Sequence, residues 1–440
     1  MENEKYMRRA IELARLGEGW CHPNPLVGAV IVKDGNIIGE GFHERYGSLH
    51  AERNAIKNLS ESAEGATLYV TLEPCCHHGK QPPCTEAVLE CGIKKVVIGS
   101  RDPNPKVAGK GVKFLKENGI EVVEDFLKDE CDELNPVFFH FITTKKPYVT
   151  MKYAMTMDGK IATKTGRSRW ITGEKARRRV QEMRHAHMGI MVGIGTVLAD
   201  DPMLNCRIPG GRSPVRIICD SQLRIPLASE IVKTANEYST IVACGIPGVS
   251  DGELDPEYGF SHDLSENLIL GDCHEDSGVH ADISLRDISF KLKELGKAGI
   301  AVINCYPEDR VTGSGVDLQK LMTILGERGI DSILLEGGGT LNESALKAGI
   351  VNEIDAFIAP KIFAGNAKTP VIGLGVENPE DAYRCEIKEV EQIGEDMLIR
   401  YRVSSKQQNS TGNDSCLPEP STVGMNVRLK DLKNDEDILI

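Results

Sequence analysis

What the chain lacks narrows its class before any motif is read. It has no apolar run of the length a bilayer span needs. Its opening, Met1-Glu2-Asn3-Glu4-Lys5, is charged with no apolar core behind it, so no signal peptide is expected. It also lacks an excess of positive charge: 52 Lys and Arg stand against 65 Asp and Glu, for a formal charge of -13. Binding to a phosphate backbone relies on clustered cations, so a nucleic-acid partner is disfavoured. The 13 cysteines are odd in number and follow no regular framework. Free, mostly buried thiols in a reducing cytoplasm are the expectation.

What is present is an ordinary soluble composition, 40% hydrophobic and 27% charged. A length of 440 residues predicts two or three domains. The chain is organised around His50-Ala51-Glu52, taken with Pro74-Cys75 and Cys84. One imidazole and two thiolates suit a zinc ion with a fourth position open, the pattern of a catalytic rather than a structural site. Glu52, two residues past the histidine at a helix start, is placed to shuttle a proton without ligating. The pattern departs from the general zinc-deaminase signature H-x-E…P-C-x-x-C, because nine positions rather than three separate Cys75 from Cys84.

In chain order, Tyr6 to Leu16 has helical spacing of apolar residues. Leu26–Val32 and Ile37–Phe42 read as strands joined at Asp34-Gly35-Asn36. A helix opens at His50, a strand runs from Ala66 to Leu72, a helix from about Cys84 to Cys91, and a strand ends at Gly99. This alternation predicts a layered α/β unit. Val107-Ala108-Gly109-Lys110-Gly111 reads as a turn rather than a phosphate cradle. A domain boundary is placed near Lys145, giving units 1–144 and 145–403.

The first unit closely resembles the deaminase half of the bifunctional riboflavin-biosynthesis deaminase–reductase family. The resemblance runs through Pro23-Asn24-Pro25-Leu26-Val27-Gly28, Gly41-Phe42-His43, His50-Ala51-Glu52, Thr71 to Gly79, Pro82-Pro83-Cys84 and Asp102-Pro103-Asn104-Pro105. It implies a cytidine-deaminase-like zinc domain with ligands His50, Cys75 and Cys84 and proton shuttle Glu52. Asn24, His43, His77, Asp102 and Asn104 are implied to hold a phosphoribosylamino-pyrimidine. The family usually has Ser where this chain has Cys76, which leaves a swap of Cys75 and Cys76 open; the Pro-Cys junction favours Cys75.

The second unit opens with the strand Tyr148–Ala154. A turn at Asp158-Gly159 and a second strand toward Ala162 are expected, followed by a helix from Glu174. Met188–Gly193 reads as a buried strand leading into a loop from Thr196 to Asp200. Ile333 to Leu335 is a buried strand that runs to Gly337-Gly338-Gly339 at a helix start, where backbone amides and the helix dipole favour an anion. It is no G-x-G-x-x-G fingerprint, so a Rossmann site is not supported.

Lys152-x-Ala154, Asp158-Gly159-Lys160, Trp170-Ile171, Val192-Gly193, Thr196, Asp200-Asp201-Pro202 and Glu336-Gly337-Gly338 resemble the reductase half of the same family. That implies a dihydrofolate-reductase-like fold using NADPH. Ala154, Trp170, Thr196, Asp200, Ser221 and the Gly338-Gly339-Thr340-Leu341-Asn342-Glu343-Ser344 turn are implied to face NADPH. Lys152, Ser168, Arg184, Leu204, Arg207 and Glu336 are implied to face the sugar phosphate, with Arg184 and Arg207 as bidentate phosphate clamps. Gln181 and His187 stand where the family often has His and Asp.

The implied function is hydrolytic deamination of a diamino-hydroxy-phosphoribosylamino-pyrimidine, then NADPH-dependent reduction of ribosyl to ribityl. Its partners are small-molecule phosphates, with no nucleic acid and no membrane; homo-oligomerisation is left open. Competing readings are a deaminase with an inactive reductase half, or a nucleoside or transfer-RNA deaminase, which leaves the second unit unexplained. An acidic Gly/Ser/Asp-rich insertion near 245–289, with His262, Cys273, His274 and His280, is expected to be a solvated loop. The tail 404–440 is expected to be disordered, with a short docking helix conceivable from Asn426.

Overall fold

A computed structural model describes residues 3–78, 81–105, 107–247, 252–254, 285–307 and 315–404. The expected tail helix and the histidines of the insertion lie outside them. In the N-terminal part, strands β1 (Gly28–Lys33), β2 (Asn36–Phe42), β3 (Thr67–Leu72), β4 (Lys95–Ser100) and β5 (Glu121–Val123) form one sheet in the order 2-1-3-4-5. The β1–β2 and β1–β3 pairs are antiparallel; β3–β4 and β4–β5 are parallel. Helices α1 (Glu4–Arg15), α2 (Ala51–Lys57), α3 (Cys84–Glu90), α4 (Lys110–Glu117), α5 (Lys128–Asp132) and α6 (Pro136–Thr144) accompany it.

Strand alternation explains the layers. Val30, Val32, Tyr69 and Val97 pack on Met7, Ala10, Ile11 and Ala14 of α1. Their neighbours Ala29, Ile31, Leu68, Val70, Val96 and Ile98 point the other way, onto Ala51, Ala55, Val88, Val112 and Leu115 of α2, α3 and α4. The sheet is thus buried on both faces. The ends of β3 and β4 meet the starts of α2 and α3, the usual place for a site in an α/β sheet.

Beyond Lys145, which closes α6 in the left-handed conformation, a ten-stranded sheet begins. Its strands are β6 (Tyr148–Thr156), β7 (Gly189–Gly193), β8 (Val215–Cys219), β9 (Thr240–Cys244), β10 (Gly252–Leu254), β11 (Ala301–Asn304), β12 (Ser332–Leu335), β13 (Glu353–Ala359), β14 (Cys385–Ile393) and β15 (Asp396–Val403). Their order is 10-11-9-8-7-12-6-13-15-14, with β11-9-8-7-12-6-13 all parallel. Helices α7 (Glu174–Ala186), α8 (Ile194–Asp200), α9 (Glu230–Lys233), α10 (Leu285–Lys297), α11 (Leu318–Glu327) and α12 (Gly339–Lys347) connect them. Met191, Ile217, Ile333 and Leu335 pack toward α11 and α12, while Ile190, Val192, Ile218 and Val242 pack toward α8, α9 and α10.

Three local expectations change. No second strand forms after Asp158: Thr156 N–H bonds the Lys160 carbonyl, and Ile161 N–H then goes to Lys368. The chain leaves its own hairpin for the 361–368 segment. Thr196 to Asp200 is helix, not loop, because extended Gly193 starts α8 directly at the end of β7. The ends of the acidic insertion are ordered sheet and helix: β10 pairs with β11, and α10 starts at Leu285. Buried Ile246 exchanges backbone hydrogen bonds with the Asn304 amide, so this end is no solvated loop.

Candidate active sites

The first site is built at four element ends. His50 is the extended residue before α2 and Cys84 is the first residue of α3. Cys75 follows β3 and Asp102 follows β4. His50 Nδ1 lies 3.5 Å from Cys75 Sγ and 3.4 Å from Cys84 Sγ, and the three donor atoms sit within 4.8 Å of one another. Soft thiolates and an imidazole converging at this spacing fit a zinc ion. Cys76 is not part of the cluster.

Glu52 is 3% exposed and faces this cluster. Burial and the neighbouring Cys75 charge push its carboxyl above the ordinary value, while a hydrogen bond with Cys84 pulls it back. Cys75 moves oppositely, to about 4, held by hydrogen bonds from Cys84 and His50 against the cost of burial. A thiolate beside a carboxyl that readily holds a proton is a workable acid/base pair of environments. Around them a cavity of about 290 Å³ is lined by Asn24, His43, His77, Asp102 and Asn104 together with His50, Glu52 and Cys75. His43 Nε2 is 3.1 Å from Asn24 Nδ2, and its Nδ1 meets the Leu49 carbonyl. Burial raises Asp102 to about 6, partly offset by the Asn104 N–H it accepts.

Two functional contacts escaped the sequence reading. Glu73 is buried, and its carboxylate accepts the N–H groups of Gly109, Gly111 and Val112 at 3.0–3.2 Å. The glycine segment is the turn expected, and its amides are taken by the protein's own carboxylate one residue before Pro74-Cys75. Arg53, next to Glu52, donates to the Pro82 and Pro83 carbonyls and closes the long excursion between the two cysteines. Nothing in residue type alone distinguishes these from surface charges.

The second site gathers at the carboxyl ends of β6, β7, β8 and β12. Glu336, directly after β12, receives both Arg184 Nε (2.8 Å) and Nη2 (3.0 Å), with Lys152 Nζ 3.8 Å away. Burial would raise the Glu336 carboxyl, but the Arg184 and Lys152 charges hold it at about 2. Burial also draws Lys152 below its ordinary value, against the pull of Glu336. Arg184 also donates from Nη1 to the Asn205 carbonyl. Three of its N–H groups are thus engaged within the protein, while exposed Arg207 keeps a guanidinium on the surface.

Other candidates are sorted by the backbone. Leu204 is 3% exposed, with its side chain in the core and its backbone held at φ 54°. Gly338 lies beside Thr196, with extended φ of -72°, so glycine is not needed there for positive φ. Gly338 to Ser344 cannot all face one ligand, because from Gly339 they form α12. Asn342 is 1% exposed and donates to the Pro370 carbonyl, whereas Thr340 is exposed. Leu341 packs into the core and Glu343 lies against Gly373. Ser168 and Ser221 are half-buried, Ala154 packs near Phe357, and Asp200 is exposed with its carbonyl 3.5 Å from Arg169. Trp170 is 63% exposed under the Arg177 guanidinium. Gln181 Oε1 accepts the Arg207 N–H, and half-buried His187 bonds the Met183 carbonyl. Both departures from the family pattern are thus occupied in scaffolding.

Comparisons with known proteins fit this two-site architecture. Residues 1–100 match the family model of the cytidine and deoxycytidylate deaminase zinc-binding region, and 147–247 with 283–399 match that of the RibD C-terminal domain. The riboflavin biosynthesis protein RibD of Actinobacillus pleuropneumoniae is 52% identical over 406 residues, covering 92% of this chain and 96% of that relative. The chain belongs to the RibD family. The Escherichia coli RibD is 36% identical, covering 91% of this chain and 99% of the relative. A RibD structure from Acinetobacter baumannii superposes with a TM-score of 0.73 at 33% identity, covering 92% of this chain and 99% of that one. A Thermotoga maritima diaminohydroxyphosphoribosylaminopyrimidine deaminase/5-amino-6-(5-phosphoribosylamino)uracil reductase gives 0.72 at 35%, with the same coverage. RibD membership makes this chain a bifunctional enzyme of riboflavin biosynthesis, with a deaminase domain followed by a reductase domain. No helix among the described residues is long and apolar enough to cross a membrane.

Proposed function

We propose that residues 1–144 deaminate a diamino-hydroxy-phosphoribosylamino-pyrimidine and that residues 145–403 reduce the product with NADPH, opening ribosyl to ribityl. The observation that carries this reading is the single cavity that joins His50, Glu52 and Cys75 to five residues expected to touch substrate.

His50, Cys75 and Cys84 are the residues that would hold zinc, which when bound acidifies water to near neutrality. Glu52 receives a proton at its carboxylate and returns it to the departing amine; a buried carboxyl with a raised pKa suits that exchange. His43 and Asn24 orient the ring, and Asp102 accepts from its exocyclic groups. In the second domain Gly338, Gly339 and Thr340 offer backbone N–H groups to an anionic part of NADPH, with Thr196 alongside. NADPH supplies the hydride. Arg207 binds the substrate phosphate, while the Lys152–Glu336–Arg184 group fixes the floor on which the ribosyl unit rests.

The test is to incubate the pure protein with the pyrimidine phosphate, with and without NADPH, and to follow ammonia and NADPH absorbance. Ammonia in both cases, with NADPH oxidation only after deamination, is expected. Ammonia without any NADPH oxidation leaves a deaminase only.

A further inference from the structure

His22 belongs to neither candidate site, yet it lies between them. Its Nδ1 is 2.7 Å from Asp331 Oδ2 and its Nε2 is 2.6 Å from the Ala186 carbonyl. Both contacts are with groups of the second domain, so the ring ties the turn that carries it to that domain. We propose that His22 is a positioning residue shared by the two reactions, setting the substrate-side walls of both sites from one ring. The inference rests on the active-site reading above.

On the deaminase side, two residues of the same turn, Cys21 and Asn24, hold His43. Cys21 Sγ donates to the His43 carbonyl at 2.8 Å, and Asn24 Nδ2 meets His43 Nε2 at 3.1 Å. His43 in turn stands edge-on to His50, with ring centroids 5.5 Å apart. A shift of the turn therefore moves Asn24 and His43 together within the cavity.

On the reductase side, the partners of His22 lie on the two elements that carry the Arg184–Glu336 pair. Ala186 is the last residue of α7, two past Arg184. Asp331 directly precedes β12, at whose far end Glu336 lies. Asp331 Oδ1 also accepts the Ser332 hydroxyl, which takes the Met188 N–H, so it is fixed to β7 as well. A second tie runs parallel to the first. Arg212 donates to the Gly19 carbonyl at 2.9 Å and to the His187 carbonyl at 2.8 Å. Arg212 follows the loop of Leu204 and Arg207. At Gly19 the contact leaves no room, since an added Cβ would lie 2.5 Å from the His185 ring. Both ties therefore couple substrate-side segments, not the NADPH-side helix start at Gly338.

The test measures both half-reactions of the full chain, each on its own substrate. Wild-type turnover of both substrates reads the functional assignment; the variants read His22. His22→Ala is expected to raise KM for the phosphoribosyl substrate about fivefold in both halves, the scale of a modest coupling. KM for NADPH stays near the wild-type value, and His22→Gln, which keeps one donor, recovers part of the loss. A shift confined to the deaminase overturns the proposal. So does a fall in both kcat values at unchanged KM, which marks a smaller folded fraction. Asp331→Asn keeps the side-chain shape and approaches from the other domain, so it decides the matter should His22→Ala not fold. It is expected to raise the deaminase KM, and an unmoved deaminase KM overturns the proposal.

Discussion

The two sites of this chain handle buried charge in opposite ways. Around the His50–Cys75–Cys84 cluster, Glu52 is raised by burial and Asp102 reaches about 6. In the other domain Glu336, whose side chain is 11% exposed, sits at about 2 because Arg184 and Lys152 neutralise it. A group that must gain and lose a proton near neutrality has to be left partly uncompensated; a group that only holds neighbours in place is better fully paired. Access differs too. Glu52 and His43 are buried at the bottom of a cavity. Trp170, Asp200, Arg207 and Thr340 are exposed, as suits a site that admits a whole dinucleotide.

If that contrast is right, the largest effects come from the uncompensated site. Cys75→Ser and Cys84→Ser are each expected to lose zinc and essentially all deamination, with Cys76→Ser retaining both; elemental analysis beside ammonia release reads this. Loss of zinc in Cys76→Ser instead would shift the ligand set by one residue. Glu52→Gln should keep zinc and lose at least about a hundredfold in deamination, the usual scale for an acid/base group. Reduction of added deaminated product should be unchanged in all four variants, since these residues lie outside the reductase domain.

The compensated site is expected to respond through structure and substrate affinity. Glu336→Gln leaves Arg184 and Lys152 without their counter-charge, and removing one partner of a buried pair costs about 3–5 kcal/mol. Thermal unfolding should show it, with the reductase KM for its phosphate substrate rising about tenfold. The pH dependence has a definite sign. A carboxyl lowered to about 2 from its ordinary value of 4.5 contributes stability that is fully present above about pH 4.5. That contribution fades as pH falls toward 2 and should be missing from Glu336→Gln. Identical acid-unfolding curves for the two proteins would count against the ion group.

How much of this was legible in the sequence follows the same division. The zinc triad, Glu52 and the cavity-lining residues are short motifs at element ends, where spacing and side-chain chemistry carry the reading. The reductase candidates are scattered over β6, three helices and the loops between elements, and their roles depend on which way each backbone turns. Arg184 reads as a free cation until its fork is seen closed on Glu336. That the Leu204 side chain belongs to the core shows only in the fold. Glu73 and Arg53 act on backbone groups, which carry no residue-type signal at all.

The glycine turn offers the finest test, because two adjacent glycines answer to different constraints. At Gly339 an added Cβ would lie 2.6 Å from Ile372 Cγ1 and 2.8 Å from the Thr369 carbonyl, both inside the protein. Gly339→Ala therefore overpacks and should destabilise the chain by about 1–3 kcal/mol. At Gly338 the nearest atom to an added Cβ is Thr196 Oγ1 at 3.8 Å, an ordinary contact, and the backbone is extended. Gly338→Ala should then fold normally, with melting close to wild type. What the new methyl occupies is the approach to the α12 amides, so NADPH affinity should fall about tenfold, or roughly 1.4 kcal/mol. The phosphate substrate, placed on the Arg207 side, should keep its KM. Fluorescence titration with NADPH, with exposed Trp170 as reporter, measures the first effect and steady-state kinetics the second. Unchanged NADPH affinity in Gly338→Ala would move the cofactor away from this helix start.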